Sequence, residues 1–173
     1  VKDDTTKYNN KTYSFDEYGR MLDLWVYPSN VASDSELTNS GASSSAPSAA
    51  YYTEEEGGRR GSEWILAYPN TDYDNYGDDL YYFYLDSKGK PFRAVKGDKL
   101  SDVGSADRLD DDQPKSTDAD ACDIVGAKAI KGETYLFNQN GIMLTGLYEL
   151  KDVYKGTGTM EDGIYYFTED DYP

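Results

Sequence analysis

The sequence predicts an all-β protein built from β-hairpin repeats, and the prediction depends on aromatic composition, a repeated motif and the polar segments between its copies. Of 173 residues, 18 are Tyr and 5 are Phe, and aromatic side chains favour strands. The chain is too aromatic for a disordered protein and too poor in Leu, Ile and Val for a helical bundle. We therefore expect stacked hairpins in a solenoid-like array, with long loop insertions and little helix.

The repeated motif is clearest in the segments Lys11–Leu22 and Glu133–Leu144, which align without gaps. A looser copy spans Phe83–Phe92, and a fourth begins at Asp162. Alternating residues lie on one face of a strand, and a glycine supplies the positive φ of a tight turn. The predicted turn glycines are Gly19, Gly89 and Gly141. The predicted repeat core is Tyr13, Phe15, Met21, Phe83, Leu85, Tyr135, Phe137, Met143, Tyr165 and Phe167.

The copies and the segments between them divide the chain into six parts. These are 1–31 (first repeat hairpin), 32–62 (polar insertion), 63–97 (a strand plus a degenerate second hairpin), 98–126 (acidic insertion), 127–155 (third hairpin) and 156–173 (truncated fourth hairpin). At most one short helix is expected, at Ser33–Thr38 or at Asp118–Ile124. Because the chain opens at Val1 and stops within a copy, we expect it to be a segment of a larger protein.

Charge and missing residue types exclude several classes of function. Asp and Glu number 33 against 17 Lys and Arg, giving a net charge of −16, so binding to nucleic acids or insertion into membranes is not expected. The absence of His removes His-assisted nucleophiles and His-ligated zinc. Cys122 is the single cysteine, which excludes an internal disulfide. No carboxylate pair lies in an apolar segment that would raise its pKa, so we expect no enzyme.

Aromatic platforms for a carbohydrate are the candidate binding residues, because flat rings with polar tips suit surfaces that meet polar ligands. The predicted platforms are Trp25, Tyr27, Trp64, Tyr68, Tyr148 and Tyr166, with Asn30 and Asn70 as polar partners. The alternative is that the same rings pack between hairpins as core. The alternating oxygen ligands of Asp72–Asp79 make calcium a candidate, but Phe83 stands where an EF-hand loop needs its last Glu. We therefore assign no cofactor and no metal site.

The segment Lys131–Gly146, and less fully Asn10–Met21, resembles the cell-wall-binding repeat of Gram-positive surface proteins. That family includes choline-binding modules, glucan-binding domains of glucansucrases and the C-terminal repeats of clostridial toxins. The resemblance covers about half of the chain. It implies a hairpin solenoid and a non-catalytic module that holds a larger secreted protein on a cell-wall polymer or α-glucan, outside the cell at the bacterial surface.

Departures from the family pattern reduce the number of candidate ligands and leave a module without a small ligand as an alternative. The two tryptophan positions that frame choline in that family are occupied here by Thr12, Thr134 and Ile164, and by Trp25, Val95 and Leu147. A neutral glycan is therefore favoured over choline, because a quaternary ammonium needs an aromatic cage. The alternative is a structural spacer or protein-interaction module with no small ligand, whose insertions would meet a protein partner.

Overall fold

The computed structural model describes residues 4–26, 49–53, 58–69, 80–94, 105–109, 125–138, 140–153, 155 and 158–168. Within these ranges the regular structure is all β, in several small antiparallel sheets, and there is no helix. The all-β prediction is confirmed at this level. Both predicted helix positions, 33–38 and 118–124, lie outside the described residues.

The described strands form five antiparallel sheets, numbered here in chain order. The strands are β1 (Asp4–Tyr8), β2 (Lys11–Phe15), β3 (Met21–Leu22), β4 (Leu24–Val26), β5 (Ala50–Thr53), β6 (Gly58–Arg59), β7 (Trp64–Ala67), β8 (Tyr81–Tyr84), β9 (Ser105–Arg108), β10 (Val125–Ile130), β11 (Glu133–Asn138), β12 (Met143–Leu144), β13 (Gly146–Lys151) and β14 (Gly163–Phe167). Sheet 1 is β1–β2–β3, sheet 2 is β4–β5–β6, sheet 3 is β7–β8, sheet 4 is β10–β11–β12, and sheet 5 is β14–β13–β9.

Two segments predicted as insertions contain strands, which corrects their extent. Strands β5 and β6 fall within residues 32–62, and β9 falls within residues 98–126. In β5 the side chains of Ala50 and Tyr52 are buried and alternate with half-buried ones. In β9 the side chain of Ala106 is buried and its residue pairs with Leu150. Strands β5 and β9 form because they pair with strands distant in sequence. Their short sequences of mixed residue types therefore predict a strand only weakly.

Sheets 1 and 4 share one strand register at positions 122 residues apart. Phe15 pairs with Met21 in sheet 1, and Phe137 pairs with Met143 in sheet 4. The β1–β2 turn has positive φ at both central residues, 48° and 64°, as does the β10–β11 turn, at 53° and 99°. Two-residue loops with both φ values positive match the right-handed twist of the strands that they join. The two segments that align in sequence therefore also fold alike.

Three turns, which begin at Asp16, Asp86 and Asn138, share one hydrogen-bond pattern. In each, the side-chain oxygen accepts the backbone N–H groups two and four residues later, at 2.7–3.0 Å. The amide of the glycine three residues later donates to the backbone carbonyl of the same Asp or Asn, at 2.9–3.1 Å. The glycines are Gly19, Gly89 and Gly141, with φ values of 82°, 76° and 83°. An Asp or Asn at this position hydrogen-bonds its own turn and so stabilises it.

The described apolar core consists of three clusters. Cluster A contains Ile65, Ala67, Phe83, Leu85 and Ile142, with Trp25, Tyr51 and Tyr81 packed against them. Cluster B contains Ile130, Phe137 and Met143, with Trp64, Tyr82, Tyr84, Phe92 and Tyr135. Cluster C contains Ala106, Val125, Ala127, Leu136, Tyr148, Leu150 and Val153, with Leu144, Met160, Tyr165 and Phe167. Strands β8 and β11 each contribute side chains to two clusters, because successive side chains of a strand point to opposite faces of the sheet.

The predicted repeat core is buried to different degrees in the different copies. Phe83, Leu85, Phe137 and Met143 are buried, and Tyr13, Phe15, Tyr135, Tyr165 and Phe167 are half-buried. Met21 is 38 % exposed, which corrects its placement in the core. Its equivalent Met143 belongs to cluster B, where aromatic side chains of sheet 3 pack. Met21 belongs to none of the three clusters among the described residues, so the two equivalent methionines differ in their surroundings and not in residue type.

Candidate functional site

The structure brings two of the predicted aromatic platforms together, Trp25 and Tyr68. The indole N–H of Trp25 donates a hydrogen bond to the backbone carbonyl of Tyr68 at 2.8 Å, across 43 residues of chain. We call these two residues the Trp25–Tyr68 site. The other predicted members, Tyr27, Asn30 and Asn70, lie outside the described residues.

Strand pairing and ring packing position the Trp25 side chain. Trp25 lies on β4 and pairs with Tyr51 of β5. Its ring meets the Tyr51 ring edge to face, with centroids 4.9 Å apart, and meets the Phe83 ring in the same way at 4.9 Å. Edge-to-face aromatic pairs are favourable and fix ring orientation. Trp25 is therefore held rigidly at the border between sheets 2 and 3.

Tyr68 supplies the solvent-facing part of the site. It follows β7 directly and is 58 % exposed, so its ring is open to a ligand while its carbonyl is bonded to the indole of Trp25. Because the Trp25 N–H is already bonded, the indole offers a ligand its ring surface and not a donor. The arrangement is chemically suited to contact with an apolar face of a polar molecule.

Tyr51 is a member of this neighbourhood that the sequence argument missed. Burial raises the pKa of the Tyr51 hydroxyl above its ordinary value, while Arg60 lowers it and Asp23 raises it. The hydroxyl therefore stays protonated at neutral pH and can act as a hydrogen-bond donor. The signal that could have found it was the Ala-Tyr-Tyr-Thr sequence of β5, which lies in a segment predicted to be an insertion.

Trp64 packs in the core rather than beside Trp25. Its ring lies edge to face with Tyr84 and Tyr135, at 5.2 and 4.8 Å, and stacks on Phe137 at 5.8 Å. Its indole nitrogen is buried and has no hydrogen-bond partner among the described residues. This placement corresponds to the core alternative considered for the tryptophans.

Tyr148 is not an available platform, and this corrects the expectation that it faces solvent. Its side chain is 1 % exposed and belongs to cluster C. The Arg108 guanidinium carbon lies 5.5 Å from the ring centroid, a cation–π distance. Tyr148 is covered because β13 is the central strand of sheet 5 and turns this side toward sheet 4. Tyr166 lies on β14 and is exposed, in a different sheet from Trp25 and Tyr68.

The possible metal ligands of the described residues are the next question for a binding site. Within the described ranges, no three His, Cys, Asp or Glu side chains form a group that could hold one. The calcium candidate Asp72–Asp79 lies outside those ranges, so calcium binding there stays a hypothesis. No helix long and apolar enough to cross a membrane occurs in the part of the chain that the structure describes.

No protein-family model matches the sequence, and no curated protein matches it either. The resemblance to cell-wall-binding repeats therefore stays a prediction based on the motif itself. The register and turn geometry that Glu133–Leu144 shares with Lys11–Leu22 concern the internal repeat of this chain and not the family.

Proposed function

We propose that the chain is a non-catalytic carbohydrate-binding module that attaches a larger secreted protein to a cell-wall polymer or α-glucan at the surface of a Gram-positive bacterium. The observation that carries the proposal is the contact between Trp25 and Tyr68. Both residues were selected from the sequence as sugar platforms, and folding joins them although they belong to different sheets. An exposed tyrosine ring whose backbone carbonyl accepts a hydrogen bond from a half-buried tryptophan is an arrangement suited to stacking on a sugar.

The charge of the chain favours a neutral ligand. With a net charge of −16, the protein repels polymers that carry phosphate groups, and this repulsion is strongest at low ionic strength. A neutral glucan is not repelled in this way. We therefore expect α-glucan to be bound more tightly than wall material rich in anionic teichoic acid.

The architecture that we propose for this module is a solenoid-like array of hairpins. Three equivalent turns, two sheets of identical register and clusters between consecutive sheets support it. In such an array each unit contacts its neighbours and no single hairpin has to bury its aromatic face alone.

A pull-down assay tests the proposed function. The chain is incubated with insoluble α-glucan, with peptidoglycan before and after removal of teichoic acids, and with choline resin, and the bound fraction is measured. We expect retention on the neutral glucan, competed by its soluble fragments. Retention on none of the polymers would overturn the proposal and favour the spacer or protein-interaction alternative.

Variants assign the binding to the Trp25–Tyr68 site. Tyr68→Ala removes the exposed ring and should weaken retention by about threefold to tenfold, from the usual energy of an aromatic contact. Trp25→Phe removes the donor to the Tyr68 carbonyl and should weaken it to a smaller extent. Tyr18→Ala is the matched control, because Tyr18 is at least as exposed as Tyr68 but lies in the turn of sheet 1. If Tyr68→Ala and Tyr18→Ala bind alike, the site assignment is wrong.

A further inference from the structure

Sheet 3 exposes a group of large uncharged side chains next to the Trp25–Tyr68 site. Leu66 of β7 pairs with Tyr82 of β8, and the same register carried to the end of the strands places Tyr68 opposite Leu80. We call these four residues, Leu66, Tyr68, Leu80 and Tyr82, the sheet 3 patch. Leu66, Tyr68 and Leu80 are 49 %, 58 % and 47 % exposed, and Tyr82 is half-buried. Exposed apolar groups that adjoin one another mark binding surfaces, whereas single ones need no explanation.

The alternation of buried and exposed side chains places the patch on one side of sheet 3. Along β7 and just beyond it, Ile65, Ala67 and Pro69 are buried, and the residues between them are exposed. Along β8, Tyr81 packs against cluster A and Tyr82 packs against cluster B. Since successive side chains of a strand point to opposite faces, the four residues of the patch lie on the cluster B side of the sheet.

The sheet 3 patch is uncharged although the chain has a net charge of −16. The remaining strand residues on this side of sheet 3 are Trp64 and Tyr84, which pair with each other and are uncharged as well. On the side of sheet 4 that carries cluster B, the charged residues of its described strands are Lys128 and Glu133. The Lys128 ammonium lies 4.9 Å from the ring centroid of Phe92, and Glu133 is exposed. An uncharged surface on an acidic protein is suited to a neutral ligand.

The equivalent hairpins of sheets 1 and 4 show that the fold does not require large apolar side chains at these positions. The three equivalent Asp or Asn turns align the hairpins residue by residue. In place of the Leu66–Tyr82 pair stand Lys7 and Thr12 in sheet 1, and Ala129 and Thr134 in sheet 4. Lys7, Ala129 and Thr134 are exposed like Leu66. Of these three hairpins, only that of sheet 3 presents large apolar side chains there, so we interpret the patch as a binding surface.

We propose that the sheet 3 patch extends the Trp25–Tyr68 site into an elongated surface for several consecutive sugar units of a neutral α-glucan. The inference rests on the proposed function, because Tyr68 belongs to both the site and the patch. Residues two apart along a strand lie about 7 Å apart, and paired strands lie about 5 Å apart. A glucan chain that stacks on Tyr68 therefore continues over the neighbouring side chains. Leu66 and Leu80 contact the apolar C–H faces of the sugar rings and leave the hydroxyl groups in water.

Titration calorimetry of the whole chain with soluble α-glucan fragments of increasing length, starting from glucose, tests the proposal. We expect the affinity to rise with fragment length and to level off once the patch is covered. Leu66→Ala and Leu80→Ala should each weaken the binding of long fragments by about threefold to tenfold, because they remove apolar contact area. They should affect the shortest fragments less. Leu109→Ala is the matched control, since Leu109 is 45 % exposed but its amide bonds to the Leu147 carbonyl of sheet 5.

The outcomes separate this inference from the proposed function. If wild type binds α-glucan and Tyr68→Ala weakens binding, but Leu66→Ala and Leu80→Ala behave like Leu109→Ala, the patch is wrong and the proposed function stands. Glucose that binds as tightly as long fragments has the same meaning. A wild-type chain that binds no α-glucan overturns the patch, and without retention on a wall polymer the proposed function fails too. If a variant does not fold, leucine methyl NMR of wild type replaces it: long fragments should shift the Leu66 and Leu80 signals and leave that of Leu109, and equal shifts would overturn the inference.

Discussion

Replacing Asn138 by Ala should destabilise the protein more than replacing Asp86 by Ala, although both side chains accept the same pair of backbone hydrogen bonds. Asn138 Oδ1 accepts the amides two and four residues later at 2.9 and 3.0 Å, and Asp86 Oδ1 does so at 2.7 and 3.0 Å. The two turns differ in burial. Asn138 is 1 % exposed and Ile142, which supplies one donor, is also buried, whereas Asp86 is exposed.

The expected magnitudes follow from what replaces the lost bonds. At Asp86, water can bind both freed amides, so the net loss is about 1 kcal/mol. At Asn138, the freed amide of Ile142 stays buried, and an unsatisfied buried donor costs about 1–3 kcal/mol. The bond from the Asn140 amide is lost as well. The two losses together lower the free energy of unfolding by about 2–4 kcal/mol. The turn that begins at Asp16 is exposed like that of Asp86, so water can likewise bind the amides that Asp16→Ala would free.

Urea unfolding followed by tryptophan fluorescence measures the difference, because Trp25 and Trp64 report on separate clusters. Asn138→Asp is the control that keeps an acceptor oxygen for both bonds. It should recover part of the loss despite placing a charge in a buried position. If Asn138→Ala and Asp86→Ala lower the free energy of unfolding by the same amount, within about 0.5 kcal/mol, burial does not govern the strength of these turns and the reasoning fails.

Two further predictions concern a glycine and an ion pair. Gly141→Ala should lower the melting temperature more than Gly132→Ala: both have positive φ, but a Cβ at Gly141 would lie 3.0 Å from Pro91 whereas one at Gly132 meets nothing within 4 Å. Equal shifts would contradict this reasoning. Hydrogen bonds from Arg60 lower the pKa of Glu63, while burial raises it to a lesser degree. The lowered pKa stabilises the fold above the ordinary pKa of Glu, and this contribution is lost as the pH falls through the pKa of Glu63 in the folded protein. Glu63→Gln should therefore melt lower than wild type at pH 7, and the difference should shrink as the pH is lowered into the acidic range. A difference that stays constant with pH would refute this reasoning.

Local chemistry explains why the turns and strands of the repeat could be predicted. Gly19 and Gly141 stand where a tight turn needs positive φ, and Tyr-x-Phe alternation marks a strand without reference to distant residues. The capping role of Asp16, Asp86 and Asn138 was also readable, as an Asp or Asn three residues before the turn glycine. The turn prediction used only the glycines.

Long-range pairing explains what could not be predicted. The partner of β4 is β5, which the chain reaches only after the segment between Val26 and Ala50. The Ala-Tyr-Tyr-Thr sequence of β5 is typical of a strand but does not say which strand it pairs with. The same holds for Tyr148, which is buried because its side of β13 packs against residues of sheet 4 in cluster C. Trp25 and Tyr68 could each be selected as aromatic residues, but their contact joins two sheets and required the fold.

Among the described residues, two backbone hydrogen bonds cross between sheets instead of running within one. The Tyr51 amide donates to the Gly89 carbonyl at 2.9 Å, and the Ala94 amide donates to the Asn138 carbonyl at 3.0 Å. Amide hydrogens exchange with solvent when the bond that holds them opens. Exchange at these two positions therefore follows the parting of neighbouring sheets while strand ladders stay closed, so isotope labelling at Tyr51 and Ala94 can time that parting separately from the fraying of any single sheet.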